Sequence, residues 1–500
     1  MPVSRREFVQ TAGAASAFGL LAPGRVDAVP FVLDERVEGF RPSLLPSIDE
    51  VWGWQVSMNN LGPKYTGNDA HRQFVEFLAT NLQSLGLELS RDRYTLPRWD
   101  ARAWGITVNP REGRGFDVPV TSYYPYSGQT GRDGVTGELA YAGTVPSDGS
   151  RQADLSGANG KIVFLDYPLA PRHYEEWFKP WGFYTPDTTL GPVVSAIIGV
   201  AAPQLDAFKK AGARGVILGW TNISDAHAAD QYVPFGRALQ DMPTVWVGRD
   251  AGARLRTLVG SGASVRLTLD AQIFPDTPTD TVIATLPGTS SDEVLIVNTH
   301  TDGPNALEEN GGVGVLALAK YFSKIPKSSR KRTIVFVLTT GHFAGVYVPS
   351  IRGIVEQHPD LIKKAVGALT VEHLGCREWF DDASMKYGPT GKDEVSHAIT
   401  DFEPTAKVML DSLPGTADRR VAVVKPTPKG RWMGEGGALS KAGVPTIGYI
   451  PAPTYLCMAS KDGCISKLSR TLLHGQIEAL AKVVHKMDAM TATSLRNPTV

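Results

Sequence analysis

Apolar positions Phe74, Phe77, Leu78, Leu82 and Leu85 recur at helical spacing behind Gly67-Asn68-Asp69-Ala70 and stop at Gly86, which predicts an amphipathic helix packed on a core. Arg91 to Val108 reads as strand, and Pro119 to Thr144 as short strands broken by glycine. The pattern then changes. Gly160 to Leu165 is an apolar strand, and Leu205 to Lys210 leads through Ala211-Gly212-Ala213-Arg214-Gly215 into the strand Val216 to Gly219. Met242 to Val247, a helix over Ala251 to Val259 and a strand from Ser264 to Leu269 follow. Beyond Ile273 come an apolar strand, Glu293 to Asn298, a helix over Val313 to Phe322, and a buried strand, Arg332 to Leu338. Helix within Ile351 to Lys364, strands at Gly367 to Val371 and Pro445 to Ile450, and a long helix over Leu472 to Met487 complete the series. Strands alternating with helices predict an α/β fold, a mostly parallel sheet flanked by helices on both faces. Ligand groups in such sheets gather at the carboxyl ends of the strands.

A chain of 500 residues exceeds what one core usually organises, so two domains, one nested in the other, are expected. The 51 basic residues balance 51 acidic ones, which excludes the electrostatic footprint of a nucleic-acid binder. Ser4-Arg5-Arg6-Glu7-Phe8-Val9, the weakly apolar run Thr11 to Pro23 and the small-residue site Val26-Asp27-Ala28 together read as a twin-arginine signal peptide over 1–28. The expectation is export of a folded protein to the periplasm or the exterior, with a mature chain starting near Val29. The apolar run is too short to span a bilayer, which takes about 20 apolar residues. Cys376, Cys457 and Cys464 are too few for a disulfide framework, and Cys457 with Cys464 is the pair that proximity favours.

Candidate chemistry falls at strand ends. Thr299-His300-Thr301-Asp302-Gly303 closes one strand; Leu307-Glu308-Glu309-Asn310-Gly311-Gly312 precedes a helix; Thr339-Thr340-Gly341-His342-Phe343-Ala344-Gly345 and Val371-Glu372-His373-Leu374-Gly375 close two more. Gly434-Glu435 and Tyr455-Leu456-Cys457-Met458 flank the last strand. In order and placement these resemble metallopeptidase family 28, the zinc aminopeptidases and glutamate-carboxypeptidase-like proteins. The strand with Gly160-Lys161, the helix ending in Ala211-Gly212-Ala213, the following strand and Pro243-Thr244-Val245 resemble a protease-associated domain, a non-catalytic insert beside an active site. The resemblance implies a peptidase-like domain over 29–118 and 273–500, with the insert over 119–272.

At the ligand positions the resemblance implies an altered centre. His300 and Asp302 match the first ligand and its companion, while the bridging Asp falls at Glu308, the Glu-Glu pair at His342-Phe343, the next Asp at Glu372 and the last His on Cys457 or Met458. Phe343 cannot coordinate, so a standard two-zinc centre is not expected. A single zinc or other divalent ion on His300, Glu308 and Glu372 is the expectation, set against a metal-free buried polar network. His342 takes the general-base position, with Glu309 as the second proton-handling group. Asp302, His373, Glu435 and Cys457 are the supporting candidates. His373, next to Glu372 on a strand, is expected to point away from it. Gly-x-Ser-x-Gly is absent, which disfavours a seryl hydrolase. The reading is a hydrolase of an amide or related bond in a small amino-acid-like or peptide-like substrate. The alternative is a pseudo-peptidase that binds without turnover.

Overall fold

The computed structural model describes residues 37–185, 188, 190–197 and 202–497. The signal-peptide expectation lies outside the described residues. Two very long strands, Glu88–Asn109 and Ser264–Leu286, pair antiparallel along their whole length, from Glu88 opposite Thr285 to Asn109 opposite Ser264. This ribbon is the spine of one 15-stranded sheet. Half of Ser264–Leu286 receives Gly131–Thr144, beyond which lie Ile162–Tyr167, Gly215–Trp220, Thr244–Val247 and Ser122–Tyr123. Its other half receives Arg332–Thr339, followed by Ser290–His300, Ala365–Val371, Thr446–Pro451, Ser396–Ile399 and Val421–Pro426.

The central strands are near-continuous apolar runs and fully buried, as a sheet covered on both faces requires. Ser290–His300 runs parallel to both Arg332–Thr339 and Ala365–Val371, so His300, Thr339 and Val371 end on the same side. Helix Gly311–Ser323 packs almost wholly buried against this centre. Its first residue must be glycine: a Cβ at Gly311 would sit 2.1 Å from both Thr299 Oγ1 and the Val371 carbonyl. Helix Asp69–Ser84 opens where the sequence predicts, with the Asn68 side chain accepting the His71 N–H at 2.8 Å. The long helix Arg470–Ala489 is capped likewise by Ser469.

The expected division at 272/273 falls in the middle of Ser264–Leu286, a strand that both halves share. The segment over 119–272 also reaches the far side of the sheet. Its strand Phe178–Phe183 pairs antiparallel with Val421–Pro426 at the far edge. Tyr174, Phe178 and Leu190 form a core there with Ile399, Val424 and Ile450.

Candidate active site

Strand ends supply the site. His300 closes its strand wholly buried, and its Nδ1 donates to the Asp302 backbone carbonyl at 3.0 Å. A carbonyl only accepts, so this bond fixes the tautomer and leaves Nε2 aimed 3.5 Å from Glu372 Oε2. His373 repeats the arrangement: Nδ1 donates to the Pro451 carbonyl at 2.8 Å, and Nε2 lies 3.2 Å from Glu308 Oε2 and 3.9 Å from Glu372 Oε2. The expectation that His373 points away is corrected here. The strand ends at Val371, and His373 adopts a left-handed backbone, φ +58°, which breaks the alternation and turns its ring inward beside Glu372.

Glu308 sits on a turn tied by Asn305, whose Oδ1 accepts the Leu307 and Glu308 N–H groups at 2.9 and 3.0 Å. The Asn305 amide in turn donates to the Leu456 and Met458 carbonyls, joining this turn to the last loop of the site. Glu372 Oε1 accepts the Glu435 N–H at 2.7 Å. His300 Nε2, His373 Nε2, Glu308 Oε2 and Glu372 Oε2 are buried, meet one another as ion pairs, and have no hydrogen-bond partner outside this set. Two three-residue groups have ligand atoms mutually within 4.8 Å: His300, Glu372 and His373, and His300, Glu308 and His342. Burial opposes a charged ring at His300, but Glu372, Glu308 and Asp302 outweigh it and lift its pKa to about 9. His373 is raised too, burial being overcome chiefly by Glu308. Such a pocket demands positive charge, supplied by protons or by a metal ion.

His342 stacks on His300 with ring centroids 4.1 Å apart and is partly open, its side chain 18% exposed. Its Nδ1 meets Glu435 Oε1 at 2.8 Å, and its Nε2 stands 3.8 Å from Glu308 Oε1. The other Glu435 oxygen accepts Ser350 Oγ at 2.7 Å and the Ile351 N–H at 3.0 Å. Burial alone would raise the Glu435 pKa; the bond from His342, aided by its charge and by Ser350, brings it down to about 2. Asp302 serves the loop more than the ring of His300. Its carboxylate accepts the N–H groups of Gly341, His342 and Phe343 at 3.1, 3.2 and 2.9 Å, and the Thr66 hydroxyl at 2.6 Å.

Two sequence expectations land elsewhere. Glu309, expected to handle protons, turns out of the cluster into a wholly buried ion pair with Lys64 Nζ at 2.6 Å. Cys457 is a buried free thiol, as are Cys464 and Cys376, so the expected bridge is not formed. Burial and the charge of Glu308 push the Cys457 thiol well up, and it belongs to neither ligand group. Phe343 is buried under a loop that carries Tyr232 and Phe235. Phe235 stacks on it at 4.4 Å, Tyr232 approaches at 5.9 Å, and Tyr65 stacks on Tyr232 at 4.4 Å. The loop carrying Tyr232 and Phe235 is pinned by the Tyr232 N–H to the Cys457 carbonyl at 2.7 Å and the Gly236 N–H to the Phe343 carbonyl at 3.1 Å. Sequence reading also passes over Lys64, Thr66 and His71. None belongs to a recognisable motif, and their role follows from long-range packing alone.

No family model and no curated protein matches this chain. Solved structures do. The zinc aminopeptidase BSAP from Bacillus subtilis superposes with a TM-score of 0.62 at 14% identity, covering 91% of this chain and 99% of its own. The fold is that of the zinc aminopeptidases. A peptidase M28 precursor from Shewanella amazonensis aligns at 16% identity and a TM-score of 0.61, over 90% of this chain and 93% of its own. An aminopeptidase from Aneurinibacillus sp. strain AM-1 gives 15% identity and 0.55, over 88% and 93%. Within this aminopeptidase fold, the His300 cluster occupies the carboxyl ends of the central strands, where α/β sheets place their ligands.

Proposed function

We propose that this chain is an exported hydrolase, built on the family 28 scaffold with a protease-associated-type insert, that cleaves an amide or related bond of a small amino-acid-like or peptide-like substrate. The observation that carries it is the set of four buried atoms on His300, His373, Glu308 and Glu372 whose nearest charged neighbours are one another. His300, Glu372 and His373 together suit one zinc or similar divalent ion, with Glu308 beside them in a second group through His300 and His342. His373 thus joins the set expected from sequence. When bound, such an ion supplies Lewis-acid polarisation and lowers the pKa of a coordinated water. His342 faces the opening and accepts or returns a proton at Nε2, while Glu435 holds its ring through Nδ1. With an aromatic ring at 343, a second ion has one carboxylate fewer, which supports a mononuclear centre. Among the described residues no helix is long and apolar enough to cross a membrane.

Elemental analysis of protein purified without chelator is expected to give about one divalent ion per chain, falling on His373→Ala. A panel of aminoacyl and peptide amides is expected to reveal turnover that drops by about 10²- to 10⁴-fold in His342→Ala. Absence of both metal and turnover would sink the proposal. The burial of Phe343 beneath Phe235 favours one other reading, a binding protein that keeps the cleft without chemistry. Ligand binding with no turnover would select it. Export is tested by fractionating cells expressing the full chain and its Arg5→Lys/Arg6→Lys variant, which should stay inside.

A further inference from the structure

Lys64 and Glu309 form an ion pair with neither side chain exposed at all, immediately behind the cluster. Lys64 Nζ also donates to the Gly62 carbonyl at 2.7 Å and to the Met58 carbonyl at 3.3 Å, so two carbonyls hold it in place beside the ion pair. Its backbone bridges Gly303 in both directions, at 2.8 and 2.9 Å. Gly303 lies directly over Glu309: a Cβ there would come within 2.4 Å of Glu309 Oε2 and 2.7 Å of Glu308 Cβ. Neighbours of Lys64 continue the same grip, Thr66 on the Asp302 carboxylate at 2.6 Å and His71 Nε2 on Thr301 Oγ1 at 2.8 Å.

We infer that Lys64 is a positioning residue: by drawing Glu309 backward it turns the adjacent Glu308 carboxylate forward, toward His373, and so sets the affinity of the site for a divalent cation. The inference rests on the metal-binding reading above. Its physical basis is that a buried ion pair seldom stabilises a fold more than apolar residues of the same size, so its placement calls for another role. Groups that orient metal ligands without touching the metal typically change affinity by about 10- to 100-fold when removed.

Lys64→Met alone strands a buried carboxylate and is expected to misfold in part. The decisive variant is therefore Lys64→Met/Glu309→Leu, in which the charge is removed from both sides. Zinc affinity is measured by competition against a chromophoric chelator, with unfolding midpoints and the visible spectrum of the Co²⁺-substituted protein recorded alongside. The double variant is expected to melt within a few degrees of the parent, to bind zinc at least about tenfold more weakly, and to show an altered cobalt spectrum. Parental affinity and spectrum in a folded double variant overturn the inference and leave the metal reading standing. A parent protein that takes up neither zinc nor cobalt overturns both. If the double variant does not fold, Lys64→Arg decides: it keeps the charge but changes its reach, so unchanged affinity and spectrum there again overturn the inference.

Discussion

At Gly434 a single hydrogen atom guards the geometry of the site. The backbone is left-handed, φ +68°, and a Cβ would fall 2.1 Å from Glu372 Oε1. Gly434→Ala is therefore expected to displace Glu372 and to weaken divalent-metal binding by about tenfold or more, read by chelator competition. A second residue-scale effect concerns pH. His397 is buried against Tyr174, 4.7 Å between rings, and burial pushes its pKa down to about 4. An unfolded histidine titrates near 6.5. Between those values the unfolded chain holds a proton at this residue that the folded chain lacks, so the His397 contribution to stability is complete above about pH 6.5 and is lost toward pH 4. The loss is on the order of 3 kcal/mol at pH 4. Urea midpoints at pH 7.5 and 5 should diverge, and His397→Leu should reduce the divergence.

Residue identity alone also explains what the sequence revealed of the site. His300, Glu308, His342 and Glu372 stand at strand ends that hydrophobic runs make legible, and the structure brings them together. The facing of His373 was illegible because it depends on one backbone angle past the strand. The fate of Glu309 was illegible because Lys64 is 245 residues away in sequence.

Among the elements, strands with long apolar runs and helices with a clear 3.6 period were read within a few residues. The outer strands Ser396–Ile399 and Val421–Pro426, the edge strand Phe178–Phe183, and the hairpin of Arg377–Asp381 with Tyr387–Asp393 were not. They are short, and several mix exposed polar residues into the run, so local pattern carries little of their pairing. The loop bearing Tyr232 and Phe235 belongs to the same class, since its place depends on partners at Phe343 and Cys457. Phe343→Glu restores the residue type of the family pattern, yet it would bury a carboxylate against Phe235. The expected result is a loss of a few kcal/mol in stability, with metal content still about one ion per chain. Calorimetry and elemental analysis check both halves.

For the whole molecule, cysteine chemistry gives a global test. The chain has three cysteines, all buried and free. Native protein should react negligibly with a thiol reagent, and denatured protein should yield three thiols without reductant. A yield of one would mean that a bridge forms. The division expected at 272/273 falls inside the strand Ser264–Leu286, which pairs with Glu88–Asn109 across that point. The ribbon of Glu88–Asn109 and Ser264–Leu286 carries strands on both sides of it, Gly131–Thr144 along one part and Arg332–Thr339 along the other. The consequence is mechanical. With this shared girder in the middle and Phe178–Phe183 stitched into the far edge, the described strands form one continuous brace behind the His300 cluster. A protease offered the native chain should spare this ribbon, whose two strands are paired along their whole length.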